Sequence, residues 1–268
     1  MPLLDLLVLA VIQGITEFLP ISSSGHLALW PLLTGREDQG LTLDVAVHLG
    51  TLVAVCLYFR RDIGQLVTGA VCILRGDPGA APARLVWLLA FATVPAVVAG
   101  LALKLSDGQA ALRDLAVIGW ATLGGGVLLW LADRFGAARR DASAWGWRDA
   151  GLMGLAQATA LVPGMSRSGV CMTMGRALGY TRTEAARLAL LMAVPTILAA
   201  GTVETAGLVA DGNLALGADF ALAAALSCLA ALAALRVMMG MFRADWSMTP
   251  FVLYRLALGG GLLALAYA

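Results

Sequence analysis

The sequence predicts an all-α polytopic membrane protein. Of its 268 residues, 60% are hydrophobic and only 13% are charged, about half the charged share of a soluble domain. The mean hydropathy is +0.85. These values exclude a disordered chain, a nucleic-acid-binding protein and most soluble enzymes. The formal net charge of +1 identifies no partner, so the positions of the few charges carry the information.

About six segments are long enough to cross a bilayer, which takes ~20 residues each. They lie near residues 41–59, 84–105, 113–132, 188–206, 217–239 and 249–268. A shorter segment, 63–74, is expected to lie at the membrane interface. Two further apolar regions, 3–34 and 149–179, are interrupted midway by proline, glycine and serine. We interpret both as re-entrant helix–loop–helix hairpins, because irregular backbone at membrane depth must lie inside protein or beside water.

The placement of arginine predicts the topology. Arginine-rich loops alternate with acid-rich loops along the six spans, and we place the arginine-rich set in the cytoplasm. The arginine-rich set contains Arg60, Arg61, Arg75, Arg84, Arg134, Arg139, Arg140, Arg148, Arg182, Arg187 and Arg243. The acid-rich set contains Glu37, Asp38, Asp107, Asp114, Glu204, Asp211 and Asp219. The two hairpins then enter from opposite faces, so their broken tips can meet near the midplane.

Opposite entry predicts an inverted-topology repeat, and the sequence carries a weak one. The pattern Thr-x-x-x-Pro occurs at 16–20 and again at 159–163, and Ser-Ser-Ser-Gly at 22–25 resembles Ser-Arg-Ser-Gly at 166–169. Val-Pro followed by Ala-Gly occurs later in each half. We expect one membrane domain, 1–268, with repeat halves of about 1–110 and 111–268. The functional site is expected where the broken helices meet.

Three ionisable residues, Glu17, His26 and Arg167, fall at the two breaks. A charged side chain at membrane depth costs ~2.5–3.5 kcal/mol, so such residues mark a functional site by default. Gln13 lies four residues before Glu17 and shares its helix face. The alternative interpretation is a buried ion pair that only fixes the packing of the hairpins.

The two serine turns are typical of anion binding. Each precedes a helix start, where free amides and the helix dipole attract an anion. Arg167 adds a planar, charged fork for phosphate oxygens. One such turn alone would be an ordinary helix cap, but two on opposed hairpins favour an oxyanion site. The predicted substrate-binding residues are Thr16, Ser22, Ser24, Gly25, Ser166, Ser168 and Gly169.

These groups together predict phosphoryl transfer on a lipid. Glu17 and His26 supply acid–base or nucleophilic capacity, and Arg167 neutralises negative charge. Because lipid surrounds the site, a lipid phosphate or diphosphate fits as substrate. The main alternative is a transporter or flippase for an anionic lipid, since inverted repeats and broken helices are also transporter architecture. A scaffold without turnover would leave the clustered polar tips unexplained.

Two long stretches resemble a known family. Residues 13–27, Gln-Gly-Ile-Thr-Glu-Phe-Leu-Pro-Ile-Ser-Ser-Ser-Gly-His-Leu, look like the first signature of bacterial undecaprenyl-diphosphate phosphatases of the BacA/UppP type. Pro-Gly-Met-Ser-Arg-Ser-Gly at 163–169 resembles their second signature. His-Leu-Gly-Thr at 48–51 and the Val-Pro spans are also similar to that family. The resemblance runs over essentially the whole chain.

The resemblance implies hydrolysis of undecaprenyl diphosphate to undecaprenyl phosphate and inorganic phosphate. That reaction recycles the lipid carrier of peptidoglycan synthesis and confers bacitracin resistance. The family's essential serine, histidine and arginine fall on Ser23, His26 and Arg167. Its acidic pair, expected to bind a divalent cation (Mg²⁺ or Ca²⁺), falls on Gln13 and Glu17, which leaves one carboxylate here. The implied location is the bacterial inner membrane, with the active site open to the periplasm.

Several details stay open in the sequence. Attack on the terminal phosphorus is assigned to His26, Ser23 or a water molecule, and His26 is also a candidate to protonate the leaving group. His48 follows Asp44 by four residues, and we interpret the two as a helix-face pair. Trp145 is expected to be an interfacial anchor. Glycine-rich stretches at 124–126 and 259–261 are expected to pack helices within or between subunits, so a homodimer is a candidate assembly.

Overall fold

The computed structural model of the chain describes residues 3–35, 41–106, 112–210 and 217–268. Within these ranges the regular structure is helical, apart from one isolated bridge between Arg140 and Tyr180, which confirms the predicted all-α class. Eleven α-helices lie in the described ranges: α1 Leu3–Thr16, α2 Ser23–Thr34, α3 Leu41–Tyr58, α4 Arg60–Leu74, α5 Ala81–Leu105, α6 Leu115–Phe135, α7 Trp147–Ala158, α8 Arg167–Ala177, α9 Arg182–Ala210, α10 Ala218–Arg243 and α11 Thr249–Tyr267.

The long helices confirm a multi-pass membrane protein. By length and composition, five helices in the described ranges can cross a membrane: α5, α6, α9, α10 and α11. A sixth span is formed if α3 is counted with α4, which follows it after a bend of 93°. This bend turns α4 away from the direction of α3, as an interfacial segment requires. Its exposed apolar residues, Val67, Val71 and Leu74, suit contact with lipid.

The two interrupted regions are pairs of short helices joined by turns, α1 with α2 and α7 with α8. Each turn contains a proline, Pro20 or Pro163, which has no amide hydrogen to continue a helix. Ser22 and Ser166 precede the second helix of each pair with φ of 75° and 64°, a left-handed conformation that is uncommon for any residue except glycine. The weak sequence repeat therefore adopts the same unusual backbone conformation twice.

The two turns touch, as the sequence predicts. The Ser24 hydroxyl accepts the Gly164 N–H at 3.0 Å, which fastens the first hairpin to the second turn. In the reverse direction, the Ser168 hydroxyl donates to the Leu19 carbonyl at 3.0 Å. Ser24 and Ser168 occupy matching positions of the repeat, and each forms a hydrogen bond with the backbone of the opposite turn.

Helices from one half of the sequence pack against helices from the other half. The first arm, α1, packs against α10, whereas α7 of the second half packs against α5 of the first half. Glycine permits the closest approaches: a Cβ on Gly14 would lie 2.5 Å from the Ser227 carbonyl oxygen, and one on Gly259 would lie 3.0 Å from the Gly119 carbonyl oxygen. The stretch 259–261 therefore packs helices within the subunit, through Gly259.

Hydrogen bonds join the arginine-rich loops at one end of the helices. The Asp133 carboxylate accepts from Arg176 at 3.0 Å, from Arg182 at 2.8 Å and from the Met248 amide at 3.0 Å. Further links join Arg187 to Asp62, Arg243 to Tyr58, Arg182 to Asp245 and Arg84 to the Trp145 carbonyl. These loops share one face, as their alternation along the spans predicts. Their cytoplasmic placement stays a prediction, and Glu37, Asp38, Asp107 and Asp211 lie outside the described residues.

The expectation that Trp145 is an interfacial anchor is wrong, because it is only 1% exposed and belongs to the hydrophobic core. Tyr180 is also buried nearby and donates its hydroxyl hydrogen to Asp149. Burial, together with the Asp149 carboxylate, raises the pKa of Tyr180 above its ordinary value. The phenol therefore stays protonated and keeps its hydrogen bond to Asp149, in the first turn of α7.

Candidate active site

Glu17 is the residue on which the candidate site is centred. It follows α1, and its side chain is only 5% exposed. Its Oε1 accepts a hydrogen bond from the Arg167 guanidinium. Its Oε2 accepts from Gln13 Nε2 at 2.7 Å and from the Ser23 hydroxyl at 3.1 Å. The carboxylate therefore connects α1, α2 and α8, so both broken helices contribute to one site.

Arg167 is the first residue of α8 and reaches the first hairpin across the contact between the turns. Its side chain is 18% exposed, so the ion pair with Glu17 is largely shielded from solvent. A pair of this kind is costly to break on one side, because the remaining charge stays buried. The structure thus brings together Gln13, Glu17, Ser23 and Arg167, four residues that the sequence predicts for the site.

His26 lies on α2 beside this cluster and has other partners. Its Nδ1 is 2.7 Å from the Ser22 carbonyl oxygen, and its Nε2 is 2.6 Å from the Tyr254 hydroxyl. Because a carbonyl oxygen only accepts, Nδ1 carries the hydrogen and Nε2 accepts from the phenol. The two rings stack with centroids 5.5 Å apart. Both ring nitrogens of His26 are therefore engaged, and neither bond is to Glu17 or Arg167.

The other predicted substrate-binding residues shape the turns. Ser22 and Ser166 accept hydrogen bonds from Gly25 and Gly169, so they cap α2 and α8. Ser24 and Ser168 make the bonds between the turns described above. Thr16 donates to the carbonyl of Ile12 at 2.7 Å, within its own helix. Direct contact of these residues with a substrate stays a prediction.

His48 belongs to the site, although the sequence interpretation paired it with Asp44. The structure shows a bond from its Nδ1 to the backbone carbonyl of Asp44, at 2.8 Å. Its Nε2 points to the site and lies 3.1 Å from Gln13 Nε2 and 3.8 Å from Glu17 Oε2. A polar side chain in the middle of an apolar span is the signal that sequence reasoning undervalued.

Arg255 is the second residue that sequence reasoning missed. It is fully buried on α11 and donates to the carbonyls of Pro20 at 3.3 Å, Gly164 at 3.0 Å and Met165 at 3.1 Å. One guanidinium thus holds the backbones of both turns. Gly125 makes room for it, since a Cβ there would lie 2.0 Å from Arg255 Nη2. An arginine inside an apolar segment, more than one turn from its start, is the signal in the sequence.

These features define a class of protein: a multi-pass membrane protein with a buried polar site where two broken helices meet. A serine hydroxyl bonded to a carboxylate is the arrangement of an activated nucleophile. An arginine beside it can stabilise an oxyanion. The site is therefore equipped for group transfer on an anionic lipid.

Comparison with known sequences identifies the family. The sequence model of the family described as bacitracin resistance protein BacA matches residues 6–261, so the chain belongs to the BacA family. The chain is 50% identical over 268 residues to the undecaprenyl-diphosphatases of Ruegeria pomeroyi and Roseobacter denitrificans, with 100% of each chain covered. It is 48% identical over 275 residues to undecaprenyl-diphosphatase 1 of Rhodospirillum rubrum, covering 100% of this chain and 96% of the relative. The predicted family resemblance is confirmed.

Proposed function

We propose that this chain hydrolyses undecaprenyl diphosphate to undecaprenyl phosphate and inorganic phosphate. The observation that carries the proposal is the Ser23–Glu17–Arg167 cluster at the contact between the two broken helices. The names of the full-length relatives support the same reaction. The product is the lipid carrier of peptidoglycan synthesis, and its regeneration would confer resistance to bacitracin.

Ser23 is the nucleophile that the geometry favours among His26, Ser23 and water. Its hydroxyl donates to Glu17 Oε2 at 3.1 Å, within the range for proton transfer to a general base. His26 Nε2, the nitrogen that would attack, instead accepts a hydrogen bond from Tyr254 at 2.6 Å. His26 is therefore better placed to hold Ser22 and α2 than to attack phosphorus.

The reaction then has two steps. In the first, Ser23 Oγ bonds to the terminal phosphorus, Glu17 takes the hydroxyl proton, and the bridging P–O bond breaks to release undecaprenyl phosphate. Glu17 then passes this proton to the departing undecaprenyl phosphate and is again a carboxylate. In the second step, Glu17 accepts a proton from water, which attacks the phosphoserine, and returns it to Ser23 Oγ as the Oγ–P bond breaks and inorganic phosphate leaves. Arg167 contacts the phosphoryl oxygens as charge develops on them, a contribution worth about 10²–10³ in rate for one such donor.

The site fits a divalent cation held jointly with the substrate. Within the described residues, Gln13 Oε1 is a buried oxygen without a hydrogen-bond partner, and it belongs to the side chain beside the Glu17 carboxylate. Mg²⁺ commonly binds to one or two carboxylates plus substrate phosphates. Glu17 and Gln13 would hold Mg²⁺ or Ca²⁺, and the bound cation would neutralise charge on the diphosphate.

We place the protein in the bacterial inner membrane with its site open to the periplasm. The support is the position of the site relative to the charged loops. His48, which borders Glu17, lies on α3 about three turns before Tyr58, the last residue of that helix. Tyr58 accepts a hydrogen bond from Arg243 of the arginine-rich set. The site therefore lies toward the end opposite the arginine-rich loops.

Phosphate release by the purified protein tests this function. The wild type in detergent is incubated with undecaprenyl diphosphate and Mg²⁺, and we expect inorganic phosphate to accumulate. Glu17→Ala and Arg167→Ala should each lower the rate by about 10²-fold or more. Arg243→Ala, at the arginine-rich end, is the matched control and should keep the wild-type rate. Absence of release by the folded wild type would overturn the proposal, and transport would then be measured in liposomes.

A further inference from the structure

His48 has the protonation pattern of a metal ligand. Its Nδ1 lies 2.8 Å from the Asp44 carbonyl oxygen and therefore carries the ring hydrogen. The Nε2 lone pair is then directed at the site. Histidines that bind metals almost always donate the other ring N–H to a carbonyl or carboxylate in this way, because that bond fixes the tautomer and the ring orientation.

The Gln13 amide occupies the space between two acceptors. Its Nε2 donates to Glu17 Oε2 at 2.7 Å and lies 3.1 Å from His48 Nε2. These two acceptor atoms are 3.8 Å apart, a separation that one cation can bridge with ordinary ligand distances. The oxygen of the same amide, Gln13 Oε1, is buried without a partner in the described structure. Rotation of the amide would move Nε2 out of the space between Glu17 and His48 and bring Oε1 into it. Oε1 would then be a third ligand atom, beside Glu17 Oε2 and His48 Nε2.

We propose that His48 Nε2 is a ligand of the divalent cation, together with Glu17 and Gln13. The inference rests on the proposed phosphatase function and its cation. An imidazole nitrogen is a poor ligand for Mg²⁺ and Ca²⁺, which prefer oxygen, and a good one for transition metals. His48 therefore shifts the preference of the site toward Mn²⁺ and similar cations, in a chain whose acidic pair has only one carboxylate.

Pulsed electron paramagnetic resonance of bound Mn²⁺ tests this assignment. The full-length protein is purified in detergent, freed of metal with a chelator and loaded with one equivalent of Mn²⁺. Samples are measured with and without methylenediphosphonate, a diphosphate that resists hydrolysis. Coordination by imidazole produces a ¹⁴N modulation of the electron spin echo. Since the sequence has only two histidines, the variants His48→Gln and His26→Gln can assign it.

We expect the ¹⁴N modulation in the wild type and in His26→Gln, and its loss in His48→Gln. The Mn²⁺ Kd of His48→Gln should rise about 10-fold or more, while its Mg²⁺ Kd should change by less than about 3-fold. Absence of the modulation from the wild type, or its loss in His26→Gln alone, would overturn the proposal. The wild-type measurement stands even if a variant fails to fold.

Phosphate release from undecaprenyl diphosphate with Mg²⁺ is measured on the same preparations. Hydrolysis without a ¹⁴N modulation would contradict only the role of His48. A ¹⁴N modulation without hydrolysis would leave the metal site standing and contradict the proposed function. The two proposals therefore fail in different measurements.

Discussion

Glu17 accepts hydrogen bonds from three side chains that lie on three different helices. Gln13 precedes it by one helical turn, Ser23 follows it across the first turn, and Arg167 comes from the second hairpin. Each contact favours the ionised carboxylate in a place where an unpaired charge would be expensive. This is why Glu17 can remain a proton acceptor at membrane depth.

Removal of the Ser23 hydroxyl tests the covalent mechanism. Ser23→Ala should lower phosphate release by about 10³-fold or more, since the nucleophile itself is lost. Rapid quench of the wild type with ³²P-labelled substrate should trap a phosphoserine, and the variant should trap none. Ser106→Ala, at an exposed helix end, is the control and should behave as the wild type. A labelled histidine in place of serine would overturn the assignment of the attack to Ser23.

Where charge is rare, the sequence singled out polar residues that the structure brings together, but it missed contacts between distant segments. The catalytic roles of these residues stay predictions. Glu17, Arg167 and Ser23 stand out because polar groups interrupt apolar segments. His48 contacts Gln13 although the two are 35 residues apart in the sequence. Tyr254 contacts His26 across 228 residues. No local spacing can indicate those contacts, since they depend on how separate helices pack.

Close crossings between helices determine how the elements of this protein pack. α3 and α10 cross at Gly50, where a Cβ would lie only 2.2 Å from the Ala224 carbonyl oxygen. Small residues allow such approaches in lipid, where helix association depends on close packing and on hydrogen bonds. The crossing holds the helix that carries His48, so its geometry also positions the site.

Gly50→Ala is expected to destabilise the protein by about 1–3 kcal/mol, because backbone on the facing helix must move. The free energy of unfolding is measured in mixed micelles titrated with a denaturing detergent. Gly240→Ala on α10 is the matched control, since a Cβ there meets nothing within 4 Å. Equal stability of the two variants would show that the α3–α10 crossing is looser than the structure indicates.

At the scale of the whole molecule, the arginine-rich end is tied together by buried ion pairs. The Asp133 carboxylate forms ion pairs with Arg176, whose side chain is 1% exposed, and with Arg182. It also accepts a hydrogen bond from the Met248 amide. These partners come from α8, α9 and the segment before α11. One carboxylate at the end of α6 therefore organises the ends of several helices.

Asp133→Asn should lower the free energy of unfolding by about 3–5 kcal/mol, because it leaves a buried arginine without its counter-charge. Asp245→Asn removes another partner of Arg182, but its side chain is 92% exposed, and we expect a loss of less than about 1 kcal/mol. Both are measured by the same denaturing-detergent titration. Similar losses in the two variants would contradict the special role assigned to Asp133.

The sequence by itself determined the class of the protein and predicted the region of its site. A bilayer demands long apolar spans, so composition alone indicates a polytopic helical protein, and the two breaks stand out against it. The scarcity of charge made Glu17 and Arg167 recognisable.

Only the tertiary structure decided which groups touch. It showed that the hydroxyl of Ser23 donates to Glu17, that Tyr254 engages His26, that His48 faces Gln13 and that Arg255 holds both turns. The physical reason is that hydrophobic patterning specifies which segments lie in the membrane but leaves their neighbours open. Those neighbours are set by close packing at glycines and by buried polar bonds between helices far apart in the chain.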